Sequence, residues 1–571
     1  MVSRIVNLLN REFRNINQAA IILGIFTLLS QILALFRDRA FAHYLGPSST
    51  LDVYYASFKV PDLLFVSVAS LASITVLLPF LVEKIGVNDK GELNGGSDSA
   101  RKLLHDIFTV FLLVMIGVSA IAFILMPELV RLIAPGFDAT HLKELVGISR
   151  IMLLSPILLG LSNLLGSVTQ MFKKFFVFAL SPVFYNIGII LGLVILYPKY
   201  GLTGLAIGVV FGALLHLLIQ FPVLARQKFL PNISLHIDWP EIRKIAILSL
   251  PRTLGLALNS LALVVIMAIA SKMGEGAISI FQFSLNFQNV PLGIIGVSYS
   301  VAAFPTLARF FSGANMKDFV AYIAVAARQI IFWSMPVMFL FIVLRAQIVR
   351  VILGTGAFSW DDTRLTAAAL ALFSLSVVGQ SLILLFTRGF YAAGNTRRPL
   401  LINLFGAFVT ISLAFLFTHI FETSSSVQYF FESLLRIENL EQTEIVMLPL
   451  AFSVGSILNT LLLWRAFRKD FKVSEPFLFK SLLQSFAGGF FMGYVAYVSL
   501  NIFDKVFDIT TFWGIFGQGL ASGLLGIAAG ILVLKLVKNQ ELENIWKSLK
   551  SKTLFKTEVI SSGGGEIQSG S

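Results

Sequence analysis

The chain has 571 residues, of which 56% are hydrophobic and 13% are charged, with a formal net charge of +13. A soluble domain carries about 25% charged residues, so the composition excludes an ordinary soluble protein and predicts an all-α polytopic membrane protein. There is no cysteine, which excludes disulfides, and the six histidines lack the HxxxH and HExxH spacings of metal sites. We therefore predict no metal and no other cofactor. Basic loops on one side of a membrane explain the positive charge without a nucleic acid partner.

Apolar runs dominate the chain in order. Residues 1–17 are amphipathic, lack the cleavage site of a signal peptide, and are predicted to form a cytoplasmic interfacial helix. Runs of about 18 to 25 apolar residues then predict about fourteen transmembrane helices. Their approximate limits are 18–44, 52–83, 103–126, 142–171, 176–197, 201–225, 242–271, 277–308, 319–345, 364–387, 399–420, 445–464, 481–502 and 512–537. Residues 539–571 are predicted to be a cytoplasmic tail.

Lysine and arginine are distributed unequally between the two sides of these spans. If the N-terminus is cytoplasmic, 29 of the 44 basic residues lie in inner segments, 9 in outer loops and 6 within the spans. Basic loops stay on the cytoplasmic side of a membrane. The asymmetry predicts a multi-pass plasma-membrane protein with both termini in the cytoplasm.

The first twelve spans carry signs of a parallel duplication. The fifth begins with PVFYN at 182–186 and the eleventh with PLLIN at 399–403, and each follows a short basic loop. The second and eighth spans contain matching prolines, Pro61 and Pro291. We therefore predict two pseudo-repeated six-helix lobes followed by two C-terminal helices, with the substrate site between the repeats. The predicted N-lobe, C-lobe and appended helix pair are 18–225, 226–470 and 471–538.

Ionisable residues interrupt the first two spans. Two groups occur, one at the end of span 1 and one in span 2: Arg37, Asp38, Arg39; and Asp52, Tyr55, Lys59, Asp62. On a helix the second group falls within an arc of about 80°, and Pro61 is predicted to kink that helix. Charged groups at membrane depth pair or face a polar cavity, so we predict a charged cavity inside the bundle. For the two arginines the alternative is that they mark the membrane interface.

Several motifs together suggest a family. In chain order they are FRD at 36–38, LDVYYASFKVPDLL at 51–64, LPRT at 250–253, PLGIIGV at 291–297, FPTL at 304–307, RGFYA at 388–392 and GNTRRP at 394–399. With these motifs the chain resembles the MurJ/MviN lipid II flippases of the MOP exporter superfamily. No single motif is specific, but their order extends the resemblance over nearly the whole chain.

The resemblance implies a transporter, not an enzyme, that acts in peptidoglycan synthesis at the bacterial inner membrane. The implied partner is the undecaprenyl-diphosphate-linked head group of lipid II, held in a cationic cavity between the lobes. Its lipid tail would lie in membrane lipid along the last two helices. A monomer would work by alternating access, driven by the membrane potential or a coupled ion.

The predicted substrate-binding set combines family positions with their replacements. It consists of Gln31, Arg37, Asp38, Arg39, Asp52, Tyr55, Lys59, Arg252 and Asn286. Gln31 and Asn286 stand where the family usually has arginine. We expect Arg39, Lys59 and Arg252 to supply the positive charge that a diphosphate needs.

Other functions stay open on the sequence alone. An exporter of another lipid-linked oligosaccharide would share the cavity, whereas a cationic-drug exporter should carry acidic and aromatic cavity residues. A membrane enzyme needs paired carboxylates or histidine, and the glutamates of 421–444 have no such partners. A non-transporting scaffold is the last alternative.

Overall fold

The computed structural model describes residues 16–68, 77, 80–81, 84, 98–172, 174–473 and 478–550. The side chains of residues 16–24, 175, 248, 251–252, 256, 259 and 548–550 lie outside this description. The described residues form helices and no β-strand, which confirms the all-α prediction. Most of the predicted interfacial helix, and the tail beyond residue 550, fall outside the described residues.

The first half of the described chain contains eleven helices, which we number in chain order. They are α1 (Ile16–Tyr44), α2 (Ser49–Ser57), α3 (Lys59–Val68), α4 (Asp98–Ile133), α5 (Ala139–Met152), α6 (Leu154–Met171), α7 (Phe175–Leu191), α8 (Tyr197–Leu218), α9 (Phe221–Gln227), α10 (Trp239–Ala270) and α11 (Ala277–Pro291). Two π-helical segments, Gly192–Leu196 and Leu292–Val297, follow α7 and α11.

The second half continues the same series. It contains α12 (Ser298–Ser312), α13 (Met316–Val343), α14 (Arg345–Leu353), α15 (Trp360–Ser374), α16 (Ser376–Ala392), α17 (Arg397–Thr423), α18 (Ser425–Leu435), α19 (Met447–Asp470), α20 (Phe479–Phe503), α21 (Phe512–Leu536) and α22 (Gln540–Lys550). A short 3-10 turn, Thr443–Val446, precedes α19.

Ten helices within the described residues are long and apolar enough to cross a membrane, or eleven if the bent pair α15 and α16 forms one span. One of the ten, Phe176–Gln227, covers two of the spans predicted from the sequence, and its direction changes at Gly201, where φ is 56°. The second predicted span, 52–83, extends into residues that the structure does not describe. The polytopic fold is confirmed, and the number fourteen stays a prediction.

The predicted proline kink in the second span coincides with an interruption between two helices at Phe58, which itself keeps helical backbone angles. Helix α2 ends at Ser57 and α3 begins at Lys59, two residues before Pro61. Proline has no N–H, and its ring collides with the carbonyl four residues earlier, which here is the carbonyl of Ser57. The break therefore lies where the sequence places the collision. At the start of α2, Ser48 Oγ accepts a hydrogen bond from Leu51 N over 3.3 Å, the usual N-cap contact.

The helices of the two predicted lobes pack in corresponding pairs. Helix α1 packs against α7 as α10 packs against α17, and α7 against α8 as α17 against α19. Glycines allow the α7–α8 approach, since a Cβ at Gly208 would collide with the backbone of Gly192. The pairing supports the duplication, and the exact domain limits stay a prediction.

The appended helices attach to the C-lobe. Helix α20 packs on both α21 and α13. Helix α22 is attached to α13 by an ion pair between Arg328 Nε and Glu541 Oε1 at 3.2 Å. Asn539 Nδ2 also donates to Gln484 Oε1 over 3.2 Å. The start of the last helix is thus fixed to the bundle, with Trp546 exposed on its surface.

Candidate functional site

A continuous series of polar side chains crosses the interior where the two lobes meet. It starts on α7, passes through α1 and α11, and ends on α3. Its six members are Asn186, Arg37, Asp38, Asn286, Gln282 and Lys59. We call these six residues the central network.

Within the N-lobe, two neighbouring residues of α1 form an ion pair. Arg37 Nη2 and Nε donate to Asp38 Oδ1 over 2.8 and 3.1 Å, and Arg37 Nη1 donates to Asn186 Oδ1 over 3.1 Å. Asp38 is only 3% exposed. A buried carboxylate needs a paired cation or several hydrogen bonds. Arg37 therefore points into the protein, and not toward lipid headgroups.

Helix α11 supplies the C-lobe half of the network. Asn286 Nδ2 donates to Asp38 Oδ2 over 2.9 Å, and Gln282 Nε2 donates to Asn286 Oδ1 over 2.9 Å. Lys59 Nζ donates to Gln282 Oε1 over 3.4 Å. The two amides are four residues apart and so share one face of the helix. Neutral amides thus connect the two lobes.

The described charges of this region balance. Arg37 and Lys59 are the cations, and Asp38 and Asp62 are the carboxylates. Asp62, on the same face as Lys59, lines a small pocket within the N-lobe, beside Met152 and Ser155. The sequence predicts a cationic cavity, whereas its described part is polar and formally neutral. Arg252 lies on α10, but its side chain is outside the described residues.

Asp52 lies at the junction between the lobes and away from the central network. It is 1% exposed and accepts hydrogen bonds from Gly276 N (2.7 Å), Ser279 N (2.8 Å) and Ser279 Oγ (2.6 Å). These are donors at the N-terminus of α11, where an anion is stabilised by unpaired N–H groups and the helix dipole. Asp52 of the N-lobe therefore caps a helix of the C-lobe.

Tyr55 is also buried between helices. It is 7% exposed, its ring meets Phe283 edge-on with centroids 5.9 Å apart, and its hydroxyl is buried without a hydrogen-bond partner among the described residues. The ring of Tyr55 is buried against Phe283, so a sugar cannot stack on it in this conformation. The polar face of span 2 is therefore divided at the interruption between α2 and α3. Asp52 and Tyr55, before it, are buried, whereas Lys59 and Asp62, after it, are more exposed.

Further contacts join the lobes at the end of the bundle that contains Tyr44, which the charge asymmetry predicts to be the outer end. Ser49 N donates to Glu275 Oε1 over 3.0 Å, and Gly136 N donates to Ser271 Oγ over 3.1 Å. His43 accepts from Ala357 N at its carbonyl, over 3.0 Å. Together with the Asp52 cap, these contacts form what we call the outer seal.

The remaining predicted site residues are separate from one another. Arg39 lies outside the central network. Its Nη1 donates to the carbonyls of Val351 and Ile352, over 2.7 and 3.1 Å. It does not contribute charge to the cavity, because successive residues of α1 point about 100° apart. Gln31 is partly buried, with its amide near Gly293 at the edge of the lobe junction.

Two members of the central network, Asn186 and Gln282, are not among the site residues predicted from the sequence. Asn186 was visible only as the last residue of a repeat motif, and Gln282 was not identified at all. A signal for Gln282 exists, since Gln282 and Asn286 are four residues apart and place two amides on one face of a predicted transmembrane span. The helix N-terminus that receives Asp52 had no comparable signal.

Comparison with known proteins gives consistent matches. The family model "Lipid II flippase MurJ" matches residues 41–517. A probable lipid II flippase MurJ of Rickettsia prowazekii is 28% identical over 400 residues, covering 69% of this chain and 77% of that protein. The lipid II flippase MurJ of Burkholderia cenocepacia is 25% identical over 463 residues, covering 80% of this chain and 84% of that protein.

The chain belongs to the lipid II flippase MurJ family. The fold agrees, since a solved MurJ structure in an inward closed conformation has a TM-score of 0.71 at 22% identity, covering 92% of this chain and all of that one. An inward-facing multidrug MATE transporter of the MOP superfamily has a TM-score of 0.62 at 13% identity. The predicted family is confirmed, and this MurJ family member shares its helical fold with MOP transporters.

Proposed function

We propose that this chain is a flippase that moves the head group of lipid II across the bacterial inner membrane for peptidoglycan synthesis. Membership of the MurJ family supports the substrate class. The observation that carries the proposal is the central network, because it lies between two repeated helical units and presents hydrogen-bonding side chains at their junction. Repeat interfaces are where transporters of this kind bind their substrates.

The cavity suits a head group that is mostly sugar and peptide. The amides of Gln282, Asn286 and Asn186 offer donors and acceptors to hydroxyl and peptide groups. The diphosphate needs a cation, and Lys59 is the best candidate, since no described carboxylate lies within 4.0 Å of its Nζ. Arg37 contributes less, because its charge is already paired with Asp38. Arg252 and Gln31 complete the proposed set.

Because the outer seal is formed, the structure corresponds to a state of the transport cycle in which the outer end is closed. Asp52, Ser49 and His43 hold the lobes together at the outer end. Alternating access requires these contacts to break while the inner ends approach. Asp52 and Tyr55 therefore affect the opening of the outer end, and we propose that they do not touch the substrate. We propose the same of Arg39.

The remaining properties follow from the same proposal. A monomer suffices, because one chain holds both lobes. The termini are cytoplasmic by the charge asymmetry. The membrane potential, worth about 2.3 kcal/mol per charge per 100 mV, or a coupled ion drives the cycle.

A flipping assay tests the proposal. In proteoliposomes with fluorescent lipid II, Lys59→Ala should slow head-group translocation at least tenfold, as expected for the loss of one charge-assisted contact. Lys505→Ala, which removes an exposed lysine of an outer loop, is the matched control. Wild-type flipping by Lys59→Ala would refute the cavity assignment, and failure of the native chain to rescue flippase-depleted cells would favour the scaffold alternative.

A further inference from the structure

A second concave site lies on the flank of the bundle, outside the central network. It is an open pocket of about 350 Å³, within the range of small-ligand sites. Its walls are apolar apart from one guanidinium. The lining residues are Ile32, Leu35, Phe36, Arg39, Val351, Ile352 and Phe512. They come from α1, α14 and α21, so the pocket marks the junction of the N-lobe, the C-lobe and the appended pair.

Among the described residues that line this pocket, Arg39 is the only charged one. Its Nη1 donates to the carbonyls of Val351 and Ile352, and its guanidinium carbon lies 5.5 Å from the ring centroid of Phe512. Arginine has five N–H donors, and the described contacts use those of Nη1 alone. No described carboxylate lies within ion-pair distance of Arg39. The carbonyl contacts leave Nε and Nη2 without a hydrogen-bond partner among the described residues, so the guanidinium can still bind a phosphate oxygen.

The depth of the pocket in the membrane suits the phosphate and the upper part of one acyl chain of a phospholipid, with the rest of the lipid in the bilayer. Along α1, Arg39 lies about 7.5 Å and Ile32 about 18 Å from Tyr44, at 1.5 Å per residue. The charged end of the pocket is therefore near the outer headgroup level, and its apolar wall extends toward the centre of the bilayer. Ile32 and Phe36 are more than half exposed on that wall. A lipid phosphate beside the guanidinium would place an acyl chain against them.

We infer that this flank pocket binds one anionic phospholipid of the outer leaflet, with its phosphate on Arg39 and an acyl chain along α1. The occupant is a bilayer lipid and not the transported one, because Arg39 faces away from the central network. Since the walls belong to both lobes and to the appended pair, the bound lipid stabilises this arrangement of the three units. Movement of α1 relative to α14 would release it.

Native mass spectrometry of the full chain tests this inference. The chain is purified in mild detergent and titrated with phosphatidylglycerol, phosphatidylcholine or polyprenyl phosphate. We expect one phosphatidylglycerol per chain, bound at least tenfold more tightly than phosphatidylcholine. Arg39→Gln, which removes the charge but keeps an amide donor for the carbonyls, should weaken phosphatidylglycerol binding about tenfold.

Two further variants separate binding from folding. Leu35→Trp fills the pocket and leaves Arg39 intact, so it should weaken lipid binding to a similar extent. Arg364→Ala is the matched control, because Arg364 also donates to backbone carbonyls, those of Arg436 and Glu438, outside the pocket. Equal binding by wild type, Arg39→Gln and Leu35→Trp would overturn the inference. A larger loss of polyprenyl phosphate binding than of phosphatidylglycerol binding in Arg39→Gln and Leu35→Trp would also overturn it, because the flank pocket would then hold the transported class of lipid.

Discussion

At the scale of single residues, Asp52 has the clearest role. Its carboxylate is buried, belongs to one lobe and accepts three hydrogen bonds from the other. Hydrogen bonds to a charged group contribute about 1.5–3 kcal/mol each to the state that contains them. One side chain therefore stabilises the sealed arrangement of the outer end.

Removal of this charge should shift the balance between conformations. We expect Asp52→Asn to raise the population with an open outer end about tenfold, because the amide caps the N-terminus of α11 more weakly. The native chain has no cysteine, so spin labels on Thr140→Cys and Glu441→Cys would report the distance between the lobes. Asp361→Asn, an exposed carboxylate at the same end, is the control. An unchanged distance distribution in Asp52→Asn would contradict this role.

At the scale of helices, the close approach of two backbones determines how α7 packs against α8. Helix α7 and the π-helical segment after it meet α8 at glycines, with Gly188 opposite Gly212 and Gly192 opposite Gly208. In a membrane, such van der Waals contact replaces the hydrophobic effect as the main attraction between helices. Side-chain volume at these positions is therefore critical.

The addition of a single methyl group tests how much side-chain volume these positions tolerate. Gly208→Ala places a Cβ against the backbone of Gly192, so the helices must separate and the midpoint of thermal unfolding should fall by several degrees. Gly117→Ala adds the same methyl group where nothing lies within 4 Å. It should leave the midpoint unchanged or raise it, because alanine favours helices over glycine by about 1 kcal/mol. Equal midpoints for the two variants would contradict the packing argument.

Docking of α22 should depend on one ion pair. Arg328→Ala leaves the buried carboxylate of Glu541 without its cation, which costs several kcal/mol, so α22 should detach. Trypsin cleavage after Lys538, at the start of the tail, should become about tenfold faster. Arg131→Ala breaks an exposed pair with Glu128 at similar distance and should have no effect. Unchanged cleavage in Arg328→Ala would show that other contacts hold the helix.

At the scale of the whole molecule, orientation follows from the basic residues. The unequal distribution of lysine and arginine predicts that the outer seal faces away from the cytoplasm. In intact cells, a membrane-impermeant thiol reagent should label Lys505→Cys and should not label Lys472→Cys. The reverse pattern would invert the topology and the assignment of the seal.

The sequence predicted the architecture better than the contacts. Apolar runs and charge asymmetry report on lipid exposure, which each segment experiences by itself. The position of a side chain within the bundle depends on which neighbour it meets. Asp52 and Lys59 share a helical face, yet the first meets the N-terminus of α11 and the second meets Gln282. Arg37 and Arg39 differ in the same way, and no periodicity in α1 distinguishes a cavity from a flank pocket.

The ion pair of Arg37 and Asp38 has a consequence for the speed of the transport cycle. Both charges belong to α1, so they travel together when the lobes rock. Within the central network, no bond between the lobes joins two charged groups: Asn286 Nδ2 donates to Asp38, and Lys59 Nζ donates to Gln282. Pulling apart opposite charges at low dielectric would raise the activation barrier far more than losing one amide contact. With an amide at position 286, the central network therefore separates without breaking an ion pair between the lobes.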